Sequence, residues 1–294
     1  MGIFSFFKKK TNPLNNKLKQ AICELEKNEV RLTYYESSIK YPLNISKFGG
    51  CPYLPNSFKW PTFTSYEDGI NRPLSFICQV NLEQFSLFDK DSVLPNKGML
   101  YLFYECESLF WGLDPKDKGA LRVYYYENTE GFELLSAPSD LKKEYVVPEL
   151  IMSFNNKKSY PLFEEFEFYN NLEADWDEYD SILNYLGINL DEEDISKMLG
   201  YANIIQGEML SECERVSRGL SCSSQDGYEN LSYEINNDID KKASEWLLLF
   251  QIGTISNNDF ELMFGDCGYI YVYIRKSDLL EKRFDKIQFS LQCY

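Results

Sequence analysis

The sequence predicts an α+β fold of mainly antiparallel or mixed sheets, built from two topologically similar halves with a few peripheral helices. Three observations carry that expectation. Aromatics make up 16% of the 294 residues, with 22 Tyr and 21 Phe, and flat rings pack well across neighbouring strands on pleated surfaces. Short apolar runs of strand length follow one another between turn-forming residues, and a few segments carry apolar residues at helical spacing. The chain is also long enough to bury a substantial core without disulfide or metal staples.

In chain order, Leu14, Leu18, Ile22 and Leu25 recur at helical steps and predict an amphipathic helix over Leu14 to Asn28, with Pro13 where a helix begins. Residues 1–29 are thus read as a tail and helix, and 30–294 as a single α+β domain divisible into pseudo-repeated halves, 30–158 and 159–294. Val30, Leu32 and Tyr34 alternate with polar neighbours and signal a switch to strand. Phe48 to Pro61 (FGGCPYLPNSFKWP) holds too many Gly and Pro for a long element and reads as an ordered loop with aromatic anchors. Strands are expected at Leu74 to Asn81, Met99 to Tyr104 and Leu121 to Tyr126. Trp176, Tyr179, Leu183 and Leu186 give a helix between Asp175 and Gly187 with an acidic outer face, ended by Gly187. A short helix is expected over Glu192 to Leu199, with Asp191 as its N-cap.

An internal repeat supports the two halves. F-I-C-Q-V-N from Phe76, followed by G-M-L-Y-L-F-Y from Gly98, is echoed by L-L-F-Q-I-G from Leu248 and G-Y-I-Y-V-Y-I from Gly268. A looser echo pairs F-G-G-C-P-Y-L from Phe48 with L-G-Y-A-N-I-I from Leu199. These segments, with W-P at Trp60, P-L-S-F-I-C-Q-V-N-L from Pro73, W-L-L-L-F-Q-I from Trp246, G-D-C-G-Y-I-Y-V-Y-I from Gly265 and the terminal Q-C-Y, resemble the YwqG-like proteins, a bacterial family of undetermined function. The resemblance implies a cytoplasmic α+β protein rich in antiparallel sheet, and it implies no activity. The chain departs from the family pattern at Ala202 and Asn203, where Pro is usual, and at Phe264, where Trp is usual.

Composition excludes much chemistry. Histidine is absent, which removes Ser-His-Asp and Cys-His catalysis, His-ligated metals and imidazole switching. The eight cysteines are scattered without a C-x-x-C pair and read as reduced thiols, so no metal and no cofactor are expected. No apolar run approaches the length of a transmembrane segment, and MGIFSFFKKK at the start has neither an h-region nor a cleavage site. Net charge is −16, and 12 acidic residues with no Lys or Arg fall between Ser159 and Ser196. Such a surface repels nucleic acid and attracts basic proteins; the same acidity also serves solubility.

Two site readings follow. In the first, a non-enzymatic protein-binding protein, of immunity type, meets a basic protein partner through an acidic face carrying Glu173, Asp175, Asp177 and Glu178. In the second, a carboxylate-based hydrolase or small-ligand-binding protein has its site between the halves, near Gln79, Gln251 and Asp266. Gln79 and Gln251 interrupt apolar strands, where an amide needs hydrogen-bond partners. They either tie strands to loops or present amides to a ligand. Asp266 sits on a glycine-flanked turn, where a carboxylate either caps the turn or acts as a general base or cation ligand.

Overall fold

The computed structural model describes residues 15–170, 172–190, 195–224, 228–229 and 231–294. The basic start of the chain, Pro13 and Leu14, and the acidic run Asp191 to Asp194 lie outside them.

The first helix, α1 (Asn16–Glu24), is shorter than its apolar spacing suggested because Asn15 caps its start and the chain extends again at Lys27. There follow β1 (Lys27–Tyr35), β2 (Lys47–Phe48), β3 (Tyr53–Pro55), β4 (Thr62–Thr64), β5 (Asn71–Pro73), β6 (Ser75–Asn81), the single turn α2 (Leu82–Phe85), β7 (Met99–Tyr104), β8 (Leu121–Tyr126), β9 (Phe132–Leu134) and β10 (Leu150–Ser159). Next come α3 (Phe163–Tyr169), α4 (Trp176–Leu186), β11 (Lys197–Leu199), α5 (Leu210–Ser217), α6 (Tyr233–Ala243), β12 (Trp246–Ile252), β13 (Ile255–Ser256), β14 (Glu261–Leu262), β15 (Tyr269–Arg275), α7 (Lys276–Leu280) and β16 (Ile287–Gln292). Gly187, at φ 68°, ends α4 as expected. The helix expected over Glu192 to Leu199 is a correction: Lys197, Met198 and Leu199 form strand β11, because they pair with β1 on one side and β12 on the other. A segment this short does not distinguish the two periods.

Ten strands form one antiparallel sheet in the order β16-β15-β12-β11-β1-β10-β2-β6-β7-β8. The register of β6 on β7 shifts between Phe76 and Cys78, and that of β12 on β15 between Leu248 and Phe250. Such bulges sharpen local twist. The sheet is nearly closed: Tyr104 of β7 packs edge-on against Phe264 and Phe289, and Tyr125 of β8 packs against Phe284.

One face of each strand fills the interior. Val30, Leu32, Leu100, Leu102, Val123, Met198, Ile270, Val272 and Phe289 belong to a single buried cluster. Outside the sheet, Phe58 and Trp60 of the breaker-rich loop pack on Phe103, and the Trp60 indole donates to the Leu74 carbonyl. On the other side Met209, Leu210 and Cys213 cover Trp246, Tyr271 and Tyr273. A third cluster joins α1, α3 and α4 through Leu18, Ile22, Phe166, Tyr179 and Ile182.

Gly49 shows how tightly the centre is packed. Its φ is 52°, and a Cβ there would lie 2.3 Å from the carbonyl oxygens of Val147 and Pro148. Gly131, at φ 74°, has open space around it. Gly131→Ala is expected to cost only the left-handed backbone penalty, about 1 kcal/mol. Gly49→Ala adds a backbone collision and is expected to cost at least about 3 kcal/mol, read by urea unfolding.

Candidate functional site

The two edge strands of the sheet, β8 and β16, form opposite walls of a cleft of about 630 Å³. Leu121 to Tyr124 line one wall and Ile287 to Phe289 the other, with Asp114, Asp117 and Gly119 at one side and Val216, Ser217 and Gly219 of the α5 end at another. Asp117 is buried, and its carboxylate accepts from the Tyr66 hydroxyl and from the Gly112 and Asp114 amides. Burial holds its pKa above the ordinary carboxylate range despite those donors. The Arg122 guanidinium donates to the Gly119 and Thr62 carbonyls. A cleft of this size with apolar walls and a few polar groups is of ligand-binding dimensions.

The residues singled out in the sequence lie elsewhere. Gln79 on β6 is fully buried; its Oε1 accepts from the Tyr53 amide and its Nε2 donates to the Leu43 and Ile45 carbonyls. Gln251 on β12 is fully buried too; its Oε1 accepts from the Asn203 amide and its Nε2 donates to the Ile195 carbonyl and to Asn203 Oδ1. Both amides are therefore committed within the chain, each tying a strand to a loop. Four strands separate β6 from β12, about 24 Å along the sheet at the usual strand spacing. Asp266 is exposed on the turn before β15, where its carbonyl accepts from the Tyr294 amide. The structure does not bring the three together. Asn203 is the residue that completes the Gln251 site, and its carbonyl also accepts from the Tyr271 hydroxyl at 2.5 Å.

Next to each glutamine stands a buried lysine that the sequence reading passed over. Lys197 pairs in register with Gln251, and its ammonium lies 2.7 Å from Glu29 of β1, which also takes Arg31. Lys47 pairs in register with Gln79 and meets Glu149 and the Cys51 carbonyl. Burial raises the Glu29 carboxyl, but Lys197 and Arg31 outweigh it and hold it below the ordinary range. Ser46 and Ser196, one residue earlier, accept from the Asn81 and Gly253 amides. The signal was available: I-S-K occurs at Ile45 to Lys47 and again at Ile195 to Lys197.

The acidic candidates cluster at the start of α4. Asp175 caps the helix through the Glu178 amide, while Glu173 and Asp177 are exposed. Trp176 is 57% exposed among them. Behind this helix group, Glu165 on α3 is buried with Oε2 lacking a hydrogen-bond partner. Burial pushes its pKa up to about 7, partly opposed by Lys27. Lys27 lies over the rings of Tyr201 and Tyr169, at 3.7 and 4.6 Å from their centroids, and burial pushes its pKa down to about 8. Among the described residues, no group of three or more Cys, Asp or Glu side chains is arranged to hold a metal ion, and no helix is long and apolar enough to cross a membrane.

Fold and site define an α+β protein on a nearly closed antiparallel sheet with committed interior amides and a cleft at the sheet seam. The chain belongs to a family described as a domain of unknown function, DUF1963, whose model matches residues 46–293. A comparison with curated proteins gives no match.

Replacing Gln251 with Leu strands the Asn203 amide and the Ile195 carbonyl, and is expected to cost at least about 2 kcal/mol in urea unfolding. Asp266→Asn is expected to stay within about 0.5 kcal/mol of the parent. The raised carboxyl of Glu165 binds a proton more readily in the folded than in the unfolded chain. Its contribution is present below pH about 4.5 and is lost as pH rises toward 7. The stability of the parent relative to Glu165→Gln is therefore expected to fall between pH 5 and 7.5, by up to roughly 3 kcal/mol. Comparing the two proteins cancels the other carboxyls.

Proposed function

We propose that this is a non-enzymatic, cytoplasmic protein-binding protein of the YwqG-like kind, which meets a basic protein partner through the acidic start of α4, as an immunity protein does. The observation that carries the reading is Trp176, 57% exposed, with Glu173, Asp175, Asp177 and Glu178 around it in sequence. A large ring left in water beside a concentrated charge has the composition of an interface anchor with a steering rim. The net charge of −16 and the absence of histidine favour binding over histidine-based catalysis. All eight cysteines are free, in keeping with a reducing compartment.

We also read the chain as two topologically similar halves. The support is the matched pattern of Lys47, Gln79 and Glu149 against Lys197, Gln251 and Glu29, in which each lysine sits on a short strand, pairs in register with its glutamine and meets an acid on or beside the next strand. The hydrolase alternative loses its footing where Gln79 and Gln251 spend their amides on loop backbone.

The test is an affinity capture from the native lysate at low and then raised salt, using the parent, Trp176→Ala and a Glu173→Lys, Asp177→Lys double variant. A stoichiometric partner is expected with the parent at low salt, released as screening increases, and lost from both variants. Undiminished capture by the charge-reversed variant sinks the reading.

A further inference from the structure

The seam between β8 and β16 carries an inference that does not rest on the acidic helix. In an antiparallel ladder the N–H and C=O of one residue point to the same side, and those of its neighbours to the other. The Leu291 amide donates to the Trp111 carbonyl, outside the sheet, so the backbone groups of Phe289 and Ile287 point the same way. On the facing wall the Ala120 carbonyl accepts from Glu105, which follows β7. The backbone groups of Leu121 and Val123 therefore point away from β7, toward the cleft. The Phe289 carbonyl is already covered by Gly112, where a Cβ would lie 2.0 Å from it. Ile287 on one wall and Leu121 and Val123 on the other are left facing the cavity, and no ladder joins the strands.

We propose that this seam is a strand-addition site for an extended segment of another protein, with apolar and basic residues in alternation. The backbone groups on both walls ask for a ligand that offers donors and acceptors along its length, as an extended peptide does. Leu121, Val123 and Ile287 turn their side chains to the apolar interior, so alternate residues of the incoming segment face apolar surface. Its other residues face outward, where Asp114, Asp117 and Asp285 line the cleft with Lys118 and Arg122, three acids against two bases. With a net charge of −16 on the chain, basic residues fit those positions. Every neighbour in the ten-stranded sheet is antiparallel, so β8 and β16 run in opposite directions. The added strand is antiparallel to one and parallel to the other. Flanking strands of a three-strand unit stand about 10 Å apart, so binding spreads the seam, and spreading breaks no ladder hydrogen bond.

The experiment titrates the full chain into a fluorescein-labelled decapeptide of alternating valine and lysine, read by anisotropy. Two analogues accompany it, one N-methylated at alternate amides and one with glutamate in place of lysine. The basic peptide is expected to bind at least about tenfold more tightly than either analogue. Ile287→Pro, which removes an outward N–H while leaving the ladder to β15 intact, is expected to weaken it by at least about tenfold, and Ile287→Val to leave it unchanged. If the proline variant does not fold, the N-methylated peptide alone decides. Equal binding of basic and N-methylated peptides, or no binding of either, overturns the proposal. So does self-association of the free chain that Ile287→Pro abolishes, since that assigns the seam to a second copy.

Discussion

The sheet depends on two of its shortest strands. β2 has two residues and β11 three, yet β2 alone joins β6 to β10 and β11 alone joins β12 to β1. Ladders this short supply few backbone bonds, and side chains reinforce them. Lys197 meets Glu29 across one junction, Ser196 accepts from Gly253 across the other, and Gln251 secures the loop on either side of β11 through Ile195 and Asn203. At β2 the same work falls to Lys47, Ser46 and Gln79. A buried ion pair contributes little net stability against an apolar replacement, but removing one partner leaves an uncompensated charge, at about 3–5 kcal/mol. These groups therefore fix which strands meet more than they add to the total free energy of folding. Gly200 belongs to the same constraint: a Cβ there would lie 2.7 Å from Glu29 Cβ and from Ser159 Oγ, so the turn after β11 is pressed against the stem of the side chain that holds the strand.

What the sequence revealed follows from how local each signal was. β7 and β8 fall on their predicted residues because β7 is an uninterrupted apolar and aromatic run and β8 one broken only by Arg122, and α4 was legible from its spacing and Gly187. β11 was misread because three residues carry no period, and its identity as strand is decided by β1 and β12, far away in sequence. The roles of Gln79 and Gln251 were half legible. An amide in an apolar strand announces that it has partners, and only the fold says that the partners are loop backbone. The cleft was not legible at all, since segments near 112–124, 216–219 and 285–289 each supply part of it and none carries a motif of its own.

The interior also separates two ways of handling polarity. Along the central strands each amide and ammonium has a fixed partner. Under α3 the rule is relaxed: Glu165 keeps one carboxylate oxygen unpartnered, and the Tyr273 hydroxyl is likewise without a partner. Burial accordingly moves Glu165 toward neutrality at about pH 7, which lowers the cost of leaving it there. Lys27, held over two tyrosine rings, provides the nearby positive charge. The carboxyl under the helices is thus responsive to pH near 7, whereas Glu29 in the sheet is held below the ordinary range by Lys197 and Arg31.

This division places one proposed contact region at the centre of the sheet order and the other where its two ends meet. α1, α3 and α4 gather beside β1 and β10, the two central strands, through Tyr160 and the Lys158–Glu26 pair. The seam lies where β8 and β16, the two outermost strands, come round to face each other. On a nearly closed sheet the centre and the seam are as far apart as the fold allows. A protein surface seated on the acidic helix would leave the seam open, and an extended segment in the seam would leave Trp176 exposed. The edges also explain why a seam exists: unpaired strand edges invite association, and here two of them shield each other by proximity without pairing. A sheet that completed its ladder at this point would have no backbone groups left to offer. Stopping short of closure keeps them available while hiding them from unselective pairing.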